Sequence, residues 1–273
     1  MSLFHALILG LVQGITEFVP ISSSAHLVLV PWLFGWTTAD TAFALAFDTI
    51  LHLGTLAAVV GFFWRDLVNL AAGWLDTVRR RSLDNAQGRL AWILILATIP
   101  AAVMGLAFND LFESLFGSPV ATAVLLLATG LFLVASERWG GSDDAIDTLK
   151  AGPALVIGVA QGLAIAPGIS RSGATISAGR FLGLDRTAAA RFAFLLAIPT
   201  IAGAGLVQLR RLSGTGEIIS NAAPLLVGFM AALVSGYLVI RLLLNYLKQH
   251  SVLPFAIYCW VLGAACLAIW VAR

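Results

Sequence analysis

The chain has 273 residues, 60% of them hydrophobic and 11% charged, with a mean hydropathy of +0.95, which excludes an ordinary soluble domain and indicates a polytopic membrane protein. A net charge of +2 is too small to suggest nucleic acid as a partner, and the basic residues fall in loops rather than along one face. Cys259 and Cys266 are two helical turns apart, roughly 10 Å along an axis and too far to bridge each other.

In chain order, Met1 to Gly10 has no basic leader and no small-residue cleavage site follows, so no removable signal peptide is expected. Leu3 to Leu33 is long and apolar yet carries Glu17, Pro20, Ser22, Ser23, Ser24 and His26. A carboxylate at membrane depth costs at least about 2.5 kcal/mol, so Glu17 is expected to face protein, water or a ligand. Proline followed by three serines predicts a helix, a break and a second, serine-capped helix. Six uninterrupted stretches are long enough to span: Thr41 to Trp64, Leu90 to Phe108, Pro119 to Ala135, Thr187 to Leu209, Ala222 to Leu244 and Leu253 to Val271. A second interrupted region, Gly152 to Leu182, contains Pro167-Gly-Ile-Ser-Arg-Ser-Gly-Ala-Thr175.

The two interrupted regions repeat one another. Gly10-Leu-Val-Gln-Gly14 matches Gly158-Val-Ala-Gln-Gly162 at an offset of 148, while Pro20 pairs with Pro167 and Ser23 with Ser170 at 147. Three spans separate the breaks, so the second copy enters from the opposite face. The expected fold is therefore all-α: six transmembrane helices plus two re-entrant broken-helix hairpins in an inverted-topology repeat, with the breaks meeting near the midplane. Residues 1–273 form one integral membrane domain, with repeats over 1–136 and 152–273. Loops at 65–89, 138–150 and 241–248, with the turn at 180–191, collect 12 of the 16 basic residues on the cytoplasmic side, leaving Arg210, Arg211 and Arg273 outside and Arg171 within the membrane. The first hairpin then opens outward. Arg191 is expected to snorkel to the cytoplasmic surface, and Gly203 and Gly205 to permit close helix contact.

Arg171 offers a planar fork suited to two phosphate oxygens. Gly168 lets backbone approach an anion, and a helix N-terminus follows with Ser170, Ser172 and Thr175. Alternatively, Arg171 and Glu17 form a purely structural ion pair. Gln13 and Glu17 share a helical face, as do Ser22 and His26, and Ser23 also neighbours His26. A serine beside an imidazole can be activated for attack, and Glu17 can instead hold a divalent cation with help from the Gln13 amide oxygen. The serines also read as simple caps, and His26 as a packing residue. Asp48 and His52 share a face of their span and read either as cavity-lining residues or as helix-to-helix hydrogen-bonding groups.

These clusters resemble the paired signatures of the undecaprenyl-pyrophosphate phosphatase family, also called bacitracin-resistance proteins. The resemblance rests on Gln-Gly-Ile-Thr-Glu-Phe-Val-Pro-Ile-Ser-Ser-Ser-Ala-His-Leu, Leu-His-Leu-Gly-Thr-Leu and Pro-Gly-Ile-Ser-Arg-Ser-Gly-Ala-Thr. It implies hydrolysis of a C55 polyprenyl pyrophosphate to the monophosphate and inorganic phosphate, recycling the carrier for cell-wall synthesis, with help from a divalent cation, Mg or Ca. It places catalytic roles on Glu17, Ser23, His26 and Arg171, a metal on Glu17, and substrate contacts on Gln13, Ser22, Ser24, Gly168, Ser170, Ser172 and Thr175. Gln13 stands where glutamate is frequent, and Ala25 where glycine is. The implied setting is the bacterial cytoplasmic membrane with the site facing outward, in contact with lipid and with a homodimer admissible. A secondary transporter or lipid flippase shares the inverted-repeat pattern, and an intramembrane serine hydrolase on Ser23 and His26 is a third reading, disfavoured because Gly168-Ile-Ser-Arg-Ser172 is not a Gly-x-Ser-x-Gly elbow.

Overall fold

A computed structural model describes residues 1–36, 41–141, 144–213 and 221–272, so Arg273 lies outside the described residues. Those residues build an all-helical protein in which six helices are long and apolar enough to cross a membrane. The six are α3 (Thr41–Phe62), α5 (Ala86–Ala107), α7 (Pro119–Trp139), α10 (Arg186–Leu212), α11 (Ala222–Leu247) and α12 (Leu253–Ala272). Each of the six apolar stretches becomes one of these helices, within a few residues at either end.

Both interrupted regions fold as pairs of short helices. The first pair is α1 (Leu3–Phe18) and α2 (Ser23–Phe34); the second is α8 (Ala151–Leu163) and α9 (Arg171–Phe181). At 1.5 Å per residue none exceeds about 24 Å, short of the ~30 Å hydrocarbon layer. Local chemistry sets the breaks. Val19, which precedes proline, is extended at φ −65°, ψ 137° and ends α1, as Pro20 demands. Ser22 caps α2 by accepting from Ala25 N–H, and Ser170 caps α9 by accepting from Gly173 N–H.

Ser22 and Ser170 are both N-caps and lie 148 residues apart, the same offset as the glycine pairs, while Ser23 and Arg171 are each the first residue of a helix.

Glycines set the packing of α1 and α8. A Cβ on Gly10 would meet backbone of Gly228, and one on Gly14 would meet the side chain of Ser235 and backbone of Ala232, all on α11. One on Gly158 or Gly162 would meet Ala97 or Ala101 and Met104 on α5. α1 and α8 thus each lie against a long helix, at distances only glycine permits.

Other elements were not expected. The stretch read as a cytoplasmic loop contains α4 (Trp64–Arg80), whose Asp66 binds Arg191 at 2.6 Å; Arg191 also lies over the Phe63 ring at 5.3 Å. Arg191 is thus held by Asp66 and the Phe63 ring. A short α6 (Asn109–Phe116) precedes α7. Gly205 approaches Leu53, but a Cβ on Gly203 would meet nothing within 4 Å, so only one of that pair makes the expected close contact. Both cysteines are free and buried.

The largest core cluster gathers Phe18 and Val59 with Phe192, Phe194 and Leu196 of α10. Phe18 meets Phe194 edge-on, with centroids 5.4 Å apart. Large apolar side chains such as Leu106, Leu131, Leu242 and Val271 are exposed on the outer faces of the long helices, which suits a surface solvated by lipid.

Candidate active site

The breaks meet. Ser172 Oγ, in the first turn of α9, donates to the Val19 carbonyl at 3.1 Å, and Arg171 forms an ion pair with Glu17 Oε1. Glu17 ends α1 and Arg171 begins α9, so the pair joins the C-terminal end of one short helix to the N-terminal end of another. Glu17 is buried, and its second oxygen is fully engaged. Oε2 accepts from Ser23 Oγ at 2.5 Å and from Gln13 Nε2 at 3.0 Å, and lies 3.9 Å from His52 Nε2.

Gln13, Glu17, Ser23 and Arg171 therefore form one connected set. Gln13 Oε1 is buried without a hydrogen-bond partner; Gln161, its counterpart in α8, donates to Thr200 Oγ1 at 2.9 Å and also leaves its carbonyl oxygen unpartnered. The cavity enclosed by Glu17, Phe18, Arg171, Ser172, Ala193, Phe194 and Ala197 admits water centres over only about 10 Å³, room for about one water.

The remaining serines are committed to backbone geometry. Ser22 Oγ contacts Ser24 Oγ at 3.1 Å, and Ser170 Oγ contacts Ser172 Oγ at 3.2 Å, a second correspondence between the halves. Thr175 donates to the Arg171 carbonyl at 2.7 Å, so its hydroxyl stabilises the first turn of α9. Gly168 has φ +102°, and a Cβ there would run into α7. His26 takes no part in the Glu17 set: its ring nitrogens bind the Ser22 carbonyl at 2.8 Å and the Tyr258 hydroxyl at 2.7 Å. Among the described residues no hydrogen bond joins it to Ser23.

Two contributors escape a reading of sequence. Thr129 of α7 donates to the Gly168 carbonyl at 2.8 Å and accepts from Ser170 N–H at 3.0 Å, spanning the second break. A lone threonine in an apolar span carries no local signal of that role. His52 shares a face with Asp48 that sequence allowed either to line the cavity or to bond a neighbouring helix; its Nδ1 donates to the Asp48 carbonyl at 2.9 Å while Nε2 faces Glu17.

In the arrangement seen here both Glu17 oxygens face a guanidinium or hydrogen-bond donors, while the Gln13 amide oxygen, the other group expected beside a cation, is unpartnered.

What the set can do is bind an anion and remove a proton from a serine. The guanidinium and the N-terminus of α9 suit an anion, and Glu17 sits on the Ser23 hydroxyl.

The family model described as Bacitracin resistance protein BacA matches residues 6–265. A protein of Thermomicrobium roseum named undecaprenyl-diphosphatase is 42% identical over 98% of this chain and 98% of its own. Proteins with the same name from Desulforudis audaxviator and Moorella thermoacetica are each 43% identical over the full length of both chains.

Proposed function

Because this chain belongs to the bacitracin resistance protein BacA family, we propose that the connected set at the two breaks is where it hydrolyses undecaprenyl pyrophosphate. The enzyme is a membrane phosphatase that cleaves the phosphoric anhydride, releasing inorganic phosphate and undecaprenyl phosphate for reuse in cell-wall synthesis. An enzyme of this family also confers resistance to bacitracin.

The observation that carries the mechanism is Glu17 Oε2 on Ser23 Oγ. Arg171 turns from Glu17 to the diphosphate oxygens, for which its fork is suited, and the small cavity widens as the pair parts. That exchange frees Glu17 Oε1 while Oε2 stays on the serine. Ser23 Oγ attacks the terminal phosphorus and Glu17 takes the hydroxyl proton. The bond between phosphorus and the bridging oxygen breaks, the bridging oxygen leaves as part of the polyprenyl phosphate, and the proton held by Glu17 passes to that leaving phosphate. Water then attacks the phosphoserine with the regenerated Glu17 carboxylate as base, the bond from phosphorus to Ser23 Oγ breaks, and the proton from water returns to Ser23 Oγ through Glu17, giving inorganic phosphate. A divalent cation, Mg or Ca, would supply neutralisation of phosphate charge when bound, with Glu17 and the Gln13 amide oxygen as the residues that would hold it.

The setting completes the reading. The pairs α1–α2 and α8–α9 enter the membrane and return as re-entrant hairpins of an inverted repeat, which accounts for the matched caps and the crossed glycine packing. With basic loops inside, the first hairpin opens to the outer face of the bacterial cytoplasmic membrane, where the spent carrier is left, and the polyprenyl tail stays in lipid beside the site.

The test uses purified protein in detergent and substrate labelled in the terminal phosphate. Label retained on Ser23 after acid quench is expected; full turnover by Ser23→Ala would assign the attack to water instead. Inactivity of the wild-type protein on the polyprenyl pyrophosphate would overturn the whole reading.

A further inference from the structure

His26 is 5% exposed, and both of its ring nitrogens are occupied. The Ser22 carbonyl oxygen has no proton to give, so Nδ1 carries the hydrogen. In the neutral ring Nε2 then presents a lone pair, to which the Tyr258 hydroxyl donates. The two rings lie within 9° of parallel with centroids 5.6 Å apart.

The carbonyl that His26 holds belongs to a residue in an unfavourable conformation. Ser22 has φ +67°, a region that non-glycine residues rarely enter and keep only when their surroundings impose it. Its carbonyl also accepts from the His26 backbone N–H at 3.3 Å. These contacts are local, but Nε2 passes the restraint to α12. The next residue of α12, Cys259, directs its Sγ at the Pro20 carbonyl at 3.8 Å, and Trp260 donates to the Leu127 carbonyl of α7 at 3.1 Å. Consecutive residues of one spanning helix thus hold the turn and are themselves tied to a neighbouring helix.

We propose that Tyr258 is a positioning residue of this site: acting through His26, it fixes the Ser22 turn and so keeps the Ser23 hydroxyl on Glu17. The inference rests on the reading of Ser23 and Glu17 given above. The role asks of His26 an N–H at the Nδ1 position and an acceptor at Nε2, with no proton transfer in turnover.

The test compares Tyr258→Phe, His26→Asn and His26→Ala as purified full-length proteins, measuring kcat and KM on undecaprenyl pyrophosphate. Tyr258→Phe removes one hydroxyl and is expected to lower kcat about 5- to 30-fold, with KM within about twofold. Asparagine keeps an N–H near the position of Nδ1, so His26→Asn is expected to exceed His26→Ala in kcat by about 10-fold. Equal inactivity of the two His26 variants would reveal a proton shuttle and overturn the proposal, as would wild-type kcat in Tyr258→Phe. If His26→Ala fails to accumulate, ¹⁵N-histidine NMR of the wild-type and Tyr258→Phe proteins decides. The expected signature is a His26 ring protonated at Nδ1 whose Nε2 resonance moves on loss of the hydroxyl; an Nε2-protonated ring or an unmoved resonance overturns the brace. Full turnover by Ser23→Ala would remove the nucleophile yet leave this tautomer result intact, so the two failures are distinguishable.

Discussion

Ser23 Oγ lies 2.5 Å from Glu17 Oε2 across a helix break, while the imidazole three residues further along α2 is turned away toward Tyr258. Glu17 thereby meets three demands with one carboxylate: it holds Arg171, orders Gln13 and sits on the serine proton.

Replacing the carboxylate with its amide should leave the shape of the site and remove the base. Glu17→Gln is expected to lower kcat by about 10²- to 10⁴-fold. Phosphate release measured across substrate concentrations checks this, and a variant within a few-fold of wild type would take Glu17 out of proton transfer.

Arg171→Lys retains a charge and loses the planar fork. Its expected effect is a raised KM along with a lower kcat, because a single ammonium cannot bind two oxygens in parallel. Unchanged kinetics would mean that the guanidinium serves the fold alone.

A stability cycle separates the structural contribution of that pair from its chemistry. Arg171→Met leaves Glu17 buried and uncompensated and should cost about 3–5 kcal/mol, whereas the double variant Glu17→Gln, Arg171→Met should recover much of that loss. Activity should stay absent in both. Detergent-solution melting measures the first effect, and additive losses would show that the two side chains are not coupled.

Gln13 donates its amide N–H to Glu17, so Gln13→Glu would set two carboxylates against each other. Such a pair retains a proton or recruits a cation. The variant is expected to need less Mg or Ca for half-maximal activity than wild type, read from titrations after chelation. An unchanged titration would mean that position 13 has no influence on the ion.

Gly14→Ala and Gly158→Ala should both destabilise the protein, by about 1–3 kcal/mol each, since the new methyl meets Ser235 and Ala232 in one case and Ala97 in the other. The shared sign follows from the equivalent packing of α1 and α8. Tolerance of alanine at either position, seen as an unshifted melting transition, would break that equivalence.

The six long helices could be drawn from sequence alone because a spanning helix must satisfy its backbone internally over some twenty apolar residues, and such runs are visible one-dimensionally. The polar clusters were equally plain, since Glu17, Arg171 and the serines stand out against apolar neighbours. Proline and serine marked where α1 and α8 must end, though not which serine would cap: Ser22 took that place, which became visible only with backbone in hand. Amphipathic α4 went unread because its charges looked like those of a loop. Partner choice was the part that sequence could not supply. That Ser23 would meet Glu17 and His26 would meet Tyr258, 232 residues away, depends on how α2 is rotated and on where α12 stands. Those are outcomes of side-chain packing among distant helices, and helical spacing, which makes residues three and four apart neighbours, says nothing about them.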